Sequence, residues 1–156
     1  MEYFDQAKNE HYIPTVIETS VGLDRLMLAI LCHAYDEDEA ETKKEGKETD
    51  IRYVLRLPAV VAPVQVAVLP LSKKLAEHSE KIHKDLQKNF RSAHDITQAI
   101  GRRYRRQDEI GTPYCVTFDF DSLEDNSVTI RERDSMAQER VSIDKLQSYF
   151  FEKLKA

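Results

Sequence analysis

Apolar and polar positions along the chain alternate at two periods, and the switches between them outline its elements. Leu23, Leu26, Met27, Ile30, Leu31 and Ala34 recur at the spacing of one helix face, which predicts an amphipathic helix over 23–34. Its stripe is unusually apolar and needs a partner surface: a neighbour, the rest of the chain or another copy. Leu75, Ser79, Ile82, Leu86 and Phe90 predict a second helix, with Ser72 placed to cap it. Ile143, Leu146, Phe150 and Leu154 mark a closing helix with Ser142 as its N-cap. Strands read differently. Residues 63–70, PVQVAVLP, are β-branched and almost wholly apolar, the pattern of a strand covered on both faces. Shorter strands are expected at 92–96, 113–120, 127–131 and 138–142, with a helix over 97–110. Residues 13–18 read as a short strand with Pro14 at its edge, 51–61 as extended chain ending near Pro58, and 1–12 as aperiodic.

Strand, helix, strand, helix, strand across 63–120 is the order of an open α/β sheet with right-handed crossovers. Charge adds one boundary. Residues 36–50 carry eight acidic and three basic side chains and no aromatic, which predicts a linker. That run accounts for the whole net charge of −5, so the rest of the 156 residues is neutral and the acidic balance excludes no polyanionic partner.

Metal and redox chemistry find little support. Cys32 and Cys115 are far apart and sit in apolar runs, neither a disulfide framework nor a zinc site, and a reducing cytoplasm is the default. The five histidines lack ligand spacing. Asp119, Asp121, Glu124 and Asp125 lack the glycine and terminal glutamate of a calcium loop and read as a solvated turn. No phosphate loop, membrane span or signal peptide is present.

Two stretches carry candidate chemistry. Residues 101–113, GRRYRRQDEIGTP, place Arg102, Arg103, Arg105 and Arg106 within five residues around Tyr104, with Asp108 and Glu109 just after. Guanidinium forks beside an aromatic ring suit phosphates and unstacked bases, and carboxylates accept from base amino groups. A surface helix laced with ion pairs satisfies the same pattern. Residues 18–25, ETSVGLDR, set a carboxylate, a hydroxyl, a glycine and an arginine between strand and helix, where Arg25 can meet a phosphate or simply pair with Glu18.

The residues of these stretches also carry a family resemblance. ETSVGLDRL at 18–26 resembles motif 3 of class II aminoacyl-tRNA synthetases in its glycyl form. LPLSKK at 69–74, IGRRY at 100–104, DEIGTP at 108–113 and TIRERDSM at 129–136 resemble the anticodon-binding domain of the glycyl-tRNA synthetase family. The resemblance implies an α/β anticodon-binding domain of class IIa type over 63–156, a mixed sheet of roughly five strands flanked by helices. It implies a strand-helix remnant of a catalytic domain over 1–35, with an acidic connection over 36–62.

Roles follow by position. Glu18, Thr19, Ser20, Val21 and Gly22 would line a glycine pocket, and Gly22, Leu23, Asp24 and Arg25 would meet ATP, with Arg25 on its phosphates. Arg102, Arg103, Arg106, Asp108, Glu109, Thr129 and Arg131 would read a glycine tRNA anticodon. The resemblance implies ATP and magnesium for a full-length, homodimeric enzyme and no cofactor or metal for this stretch. Only seventeen residues precede Glu18, too few for motifs 1 and 2. The expectation is therefore the C-terminal part of a glycine–tRNA ligase, without aminoacylation activity on its own. The alternative is a synthetase-like accessory or regulatory subunit, against which the retained Glu18, Ser20 and Arg25 argue.

Overall fold

The computed structural model describes residues 2–40 and 50–154. Strands β1 (Tyr3–Asp5) and β2 (Glu10–Tyr12) form a short antiparallel hairpin, and helix α1 (Leu23–Ala34) has the bounds its periodicity predicts. The strand expected at 13–18 is not formed. Among the described residues no strand pairs with them to take up their backbone groups, and Pro14 has no N–H to offer one.

Strand β3 (Tyr35–Ala40) pairs antiparallel with β4 (Asp50–Leu55), setting Asp38 opposite Arg52 and Asp36 opposite Val54. The acidic run therefore opens as a strand rather than a linker. Composition counts its charges but misses their alternation: Asp36 and Asp38 turn to Arg52 and Arg56, while Glu37 and Glu39 face solvent. The remainder of the expected linker, 41–49, lies outside the described residues.

The main unit follows: β5 (Val66–Pro70), a 3-10 turn (Lys73–Leu75), α2 (Ala76–Leu86), β6 (Ser92–His94), α3 (Ile100–Ile110), β7 (Tyr114–Phe118), a four-residue α4 (Ser122–Asp125), β8 (Ser127–Glu132), β9 (Gln138–Ser142), a second 3-10 turn (Ile143–Lys145) and α5 (Leu146–Lys153). The sheet runs β6-β5-β7-β8-β9, with the first three strands parallel and the last two antiparallel. The Ser72 hydroxyl accepts from the Lys74 N–H at 3.4 Å and caps the first turn as expected. The hydroxyl of Ser142 makes no cap bond: a 3-10 turn intervenes, and the N-cap of α5 falls at Lys145.

Central β5 explains its own composition. Val66 and Val68 enter the large core with Leu75, Ile82, Leu86, Phe90, Val116, Phe118, Val128, Ile130, Leu146 and Phe150, beneath α2 and α5. Ala67 and Leu69 face the other way, where Cys115, Ile100 and Tyr104 join them under α3. With helices on both faces there is no solvent side to alternate with. Burial pushes the Cys115 thiol up to about 12 and keeps it a neutral hydrophobe. Helix α1 docks only by its end. Ala34 is buried and Ile30 half-buried against Leu55, Leu57 and Ala62, whereas Leu23, Met27 and Leu28 stay more than 60% exposed.

Candidate nucleic-acid interface

Helix α3 brings the arginine stretch together and divides it by depth. Arg102 and Glu109 are exposed on its outer face. Arg106, half-buried, donates to Asp95 at 2.6 Å, to the Thr97 carbonyl at 2.9 Å and to Gln98 at 3.2 Å, pinning the loop that enters the helix. Burial works to raise the Asp95 carboxyl, but bonds from Thr97 and Arg106 outweigh it and hold the group below the usual range. Arg103 points inward at 3% exposure, and its Nη1 donates to the carbonyls of Pro70 (2.6 Å) and Asp95 (3.1 Å). It staples α3 to the ends of β5 and β6. Its Nε has no hydrogen-bond partner among the described residues, and burial lowers its pKa.

Asp108 is 1% exposed and grips both terminal nitrogens of Arg131 at 3.0 Å, with Arg52 Nη1 on the same carboxylate at 3.3 Å. The Arg131 guanidinium lies 4.8 Å over the Tyr104 ring, a cation–π contact, and the Tyr104 hydroxyl bonds to Thr117. Burial raises the Tyr104 pKa, so the phenol stays neutral. Outward from Asp108 the network continues. Arg52 pairs with Asp38, and Arg56 bridges Asp36, Asp38 and Asp134 at 2.7–2.9 Å. Arg133 donates to the carbonyls of Leu57 and Gly111, each at 2.9 Å, and pairs with Asp134. Arg56 holds the Asp36 carboxyl, and Arg52 the Asp38 carboxyl, below their ordinary value.

Between α3 and the β8–β9 face opens a groove of about 190 Å³, lined by Gly101, Tyr104, Arg131, Met136 and Gln138, with Arg52 and Asp108 at its inner wall. Thr129 sits half-buried further along β8 and accepts from Arg140 at 3.1 Å. Arg140 also ties down Asp119 and Asp125, with Ser122 completing the turn, while Asp121 and Glu124 are exposed. Among the described residues no His, Cys, Asp and Glu cluster suits a metal ion.

The first candidate stretch behaves otherwise. Glu18, Thr19, Ser20, Val21, Gly22, Leu23, Asp24 and Arg25 are all exposed, and Glu18 and Arg25 do not pair with each other. Sequence reading missed Arg52, Arg133 and Arg140. A signal for Arg52 was available: it shares the inward phase of its strand with Val54, between outward Ile51 and Tyr53.

A family model described as an anticodon binding domain matches residues 65–153, more than half of the chain. The chain belongs to the anticodon binding domain family. Three curated relatives, each a glycine–tRNA ligase, resemble nearly all of it. That of Ruminiclostridium cellulolyticum is 56% identical over 150 residues, 96% of this chain and 31% of the relative. That of Acetivibrio thermocellus is 57% identical with the same coverage. That of Nocardia farcinica is 54% identical over 99% of this chain and 33% of the relative. The chain thus spans about a third of the length of the relatives it matches. Among solved structures, the RNA binding domain of threonyl-tRNA synthetase from Cryptosporidium parvum superposes with a TM-score of 0.58 at 26% identity, over 62% of this chain and 25% of that one. The anticodon binding domain so delimited contains the whole five-stranded sheet, α3 and every lining residue of the groove except Arg52. It excludes the β3–β4 hairpin that supplies Arg52.

Proposed function

We propose that the chain recognises the anticodon of a glycine tRNA, as part of a glycine–tRNA ligase that joins glycine to that tRNA with ATP. The observation that carries the reading is the groove between α3 and β8–β9, where the Arg131 guanidinium, 7% exposed and stacked on a tyrosine, lines the wall at the edge of a matched anticodon binding domain. Single-stranded bases can be splayed into such a groove, stacked and read on their edges. In this reading exposed Arg102 and Glu109 meet the RNA, joined by half-buried Arg106 and Thr129. Buried Arg103 and Asp108 hold the frame, and Arg131 presents its remaining N–H groups to a base.

Glu18, Thr19, Ser20, Val21 and Gly22 supply one wall of a glycine pocket, and Gly22, Leu23, Asp24 and Arg25 one edge of an ATP site. The chemistry of these residues fits: a carboxylate for an ammonium, a guanidinium for phosphates. Their exposure fits a surface that the rest of a ligase covers, as does the bare apolar flank of α1. Magnesium-bound ATP would supply the adenylyl group that activates the carboxylate of glycine, while this chain's residues would bind and orient. A cytoplasmic, homodimeric ligase is what the family resemblance implies; among the described residues no helix is long and apolar enough to cross a membrane.

A binding titration at two salt concentrations tests the reading, using a glycine tRNA transcript and a second with both anticodon cytosines replaced. Preference for the native anticodon is the expected result. Equal, salt-sensitive binding to both would leave only a generic basic patch and overturn it.

A further inference from the structure

The partner that completes the Asp108 carboxylate comes from outside the matched domain. Arg52 lies on β4, is 1% exposed, and spends its guanidinium on fixed acceptors. Nη1 donates to Asp108 at 3.3 Å and to the Arg133 carbonyl at 2.8 Å; Nε donates to Asp38 at 2.7 Å, and Nη2 pairs with that same carboxylate. A carboxylate gripped by one arginine can still swing about its terminal torsion, which is broad and two-fold. Asp108 carries Arg131 on both oxygens and Arg52 on one of them, so its plane is set, and with it the plane of Arg131 above Tyr104. With both terminal nitrogens already donating to Asp108, Arg131 can offer a base only its remaining N–H groups, which lie in the same guanidinium plane, so their aim at a base edge depends on how that plane is held.

We propose that Arg52 is a positioning residue for base reading. The β3–β4 hairpin sets the orientation of Arg131 through Asp108, so anticodon discrimination depends on a strand outside the anticodon binding domain proper. This rests on the groove being the RNA site. The competing account makes Arg52 a clamp for stability alone, and the two differ in what they change. Loss of a clamp lowers the melting temperature and weakens every RNA alike. Loss of a positioning residue lowers the preference for the native anticodon and leaves the salt slope, set by phosphate contacts, where it was.

The full chain with Arg52→Met, Arg52→Lys or Asp38→Asn, beside the unsubstituted chain, is titrated with native and anticodon-altered glycine tRNA transcripts at two salt concentrations, and each protein is melted. Arg52→Met is expected to cut the native preference by about tenfold at unchanged salt slope, the scale of one misaligned bidentate contact. Arg52→Lys recovers part of it. Asp38→Asn, which leaves Arg52 charged but loosens its outer anchor, falls between and decides the matter if Arg52→Met does not fold. Unsubstituted preference in any folded Arg52→Met protein, or in Asp38→Asn where Arg52→Met is unfolded, overturns the inference while leaving the proposed function intact. An unsubstituted chain with no preference removes the function, and this inference with it.

Discussion

Substituting Gly111 by alanine should destabilise the protein more than any exposed change nearby, and the structure says by how much. Gly111 closes α3 in the left-handed region, at φ 83°, where its N–H returns to the Asp108 carbonyl at 3.2 Å. An alanine there costs about 1–2 kcal/mol from backbone strain alone. A Cβ would also stand 2.8 Å from Leu57 Cδ1 and 3.0 Å from the Leu55 carbonyl oxygen. The leucine tip can rotate, but the carbonyl belongs to the chain end of β4 and moves only with the hairpin, so crowding adds roughly 1–3 kcal/mol. Relief by shifting the turn would carry the Gly111 carbonyl away from Arg133, 5% exposed and donating to it at 2.9 Å. The total, ~2–5 kcal/mol, corresponds to a melting temperature lower by roughly 4–20 °C for a chain of this size. Thermal unfolding followed by circular dichroism at pH 7 is the assay. A Gly111→Ala protein melting within about 2 °C of the parent would refute the argument, and would mean that the turn relaxes out of the left-handed region at little cost.

Two further expectations concern charge. Arg102→Ala should reduce the magnitude of the salt slope for RNA binding by about 0.7–0.9, one phosphate contact, at unchanged melting temperature; Arg103→Met should leave the slope alone and lower the melting temperature, since its Nη1 holds two carbonyls inside the fold. Equal slope changes in both would show that Arg103 reaches the RNA. Arg140, with help from Ser122 and against some burial, lowers the Asp119 carboxyl from 3.8 to about 2. A depressed carboxylate contributes stability that is present above its unfolded value and lost as pH falls, so wild type should lose about 1 kcal/mol between pH 4 and pH 2 that Arg140→Gln never had, measured by urea unfolding across that range.

What was legible in the sequence was whatever repeats. The helix at 23–34, the buried strand ending at Pro70, the order of crossovers and the antiparallel pair that completes the sheet all follow from spacing, because each apolar stripe has one face to satisfy. Three stretches were misjudged where spacing is silent, the first being 1–12, which reads as aperiodic yet forms the β1–β2 hairpin. At 13–18 the residues favour a strand, but a strand is a pairing, and none of the described strands pairs with them. At 36–40 the composition favours solvent, yet the register sets Asp38 against Arg52 and turns a charge run into half of a hairpin. Pairing across a distance of fourteen residues or more leaves no local trace except alternation.

The same limit explains the candidate site. Read in sequence, Arg102, Arg103, Arg105 and Arg106 form one basic patch; in the fold, Arg102 faces solvent while Arg103 serves the sheet ends and Arg106 the loop before α3. Counting charges overstates the pull on a polyanion, since burying a guanidinium demands fixed acceptors and those acceptors cancel its field. What the buried charges offer instead is geometry. Arg131 is useful to an RNA base only if its plane is fixed, and the residues that fix it, Asp108 from α3 and Arg52 from β4, lie 23 and 79 positions away along the chain. An acidic segment that looks like spacer thus reaches the groove in two steps, Asp38 to Arg52 and Arg52 to Asp108. Its carboxylates supply Arg52 and Arg56 with acceptors beyond Asp108 and Asp134, and if the groove reads bases, that bracing is what fixes the plane of its arginine.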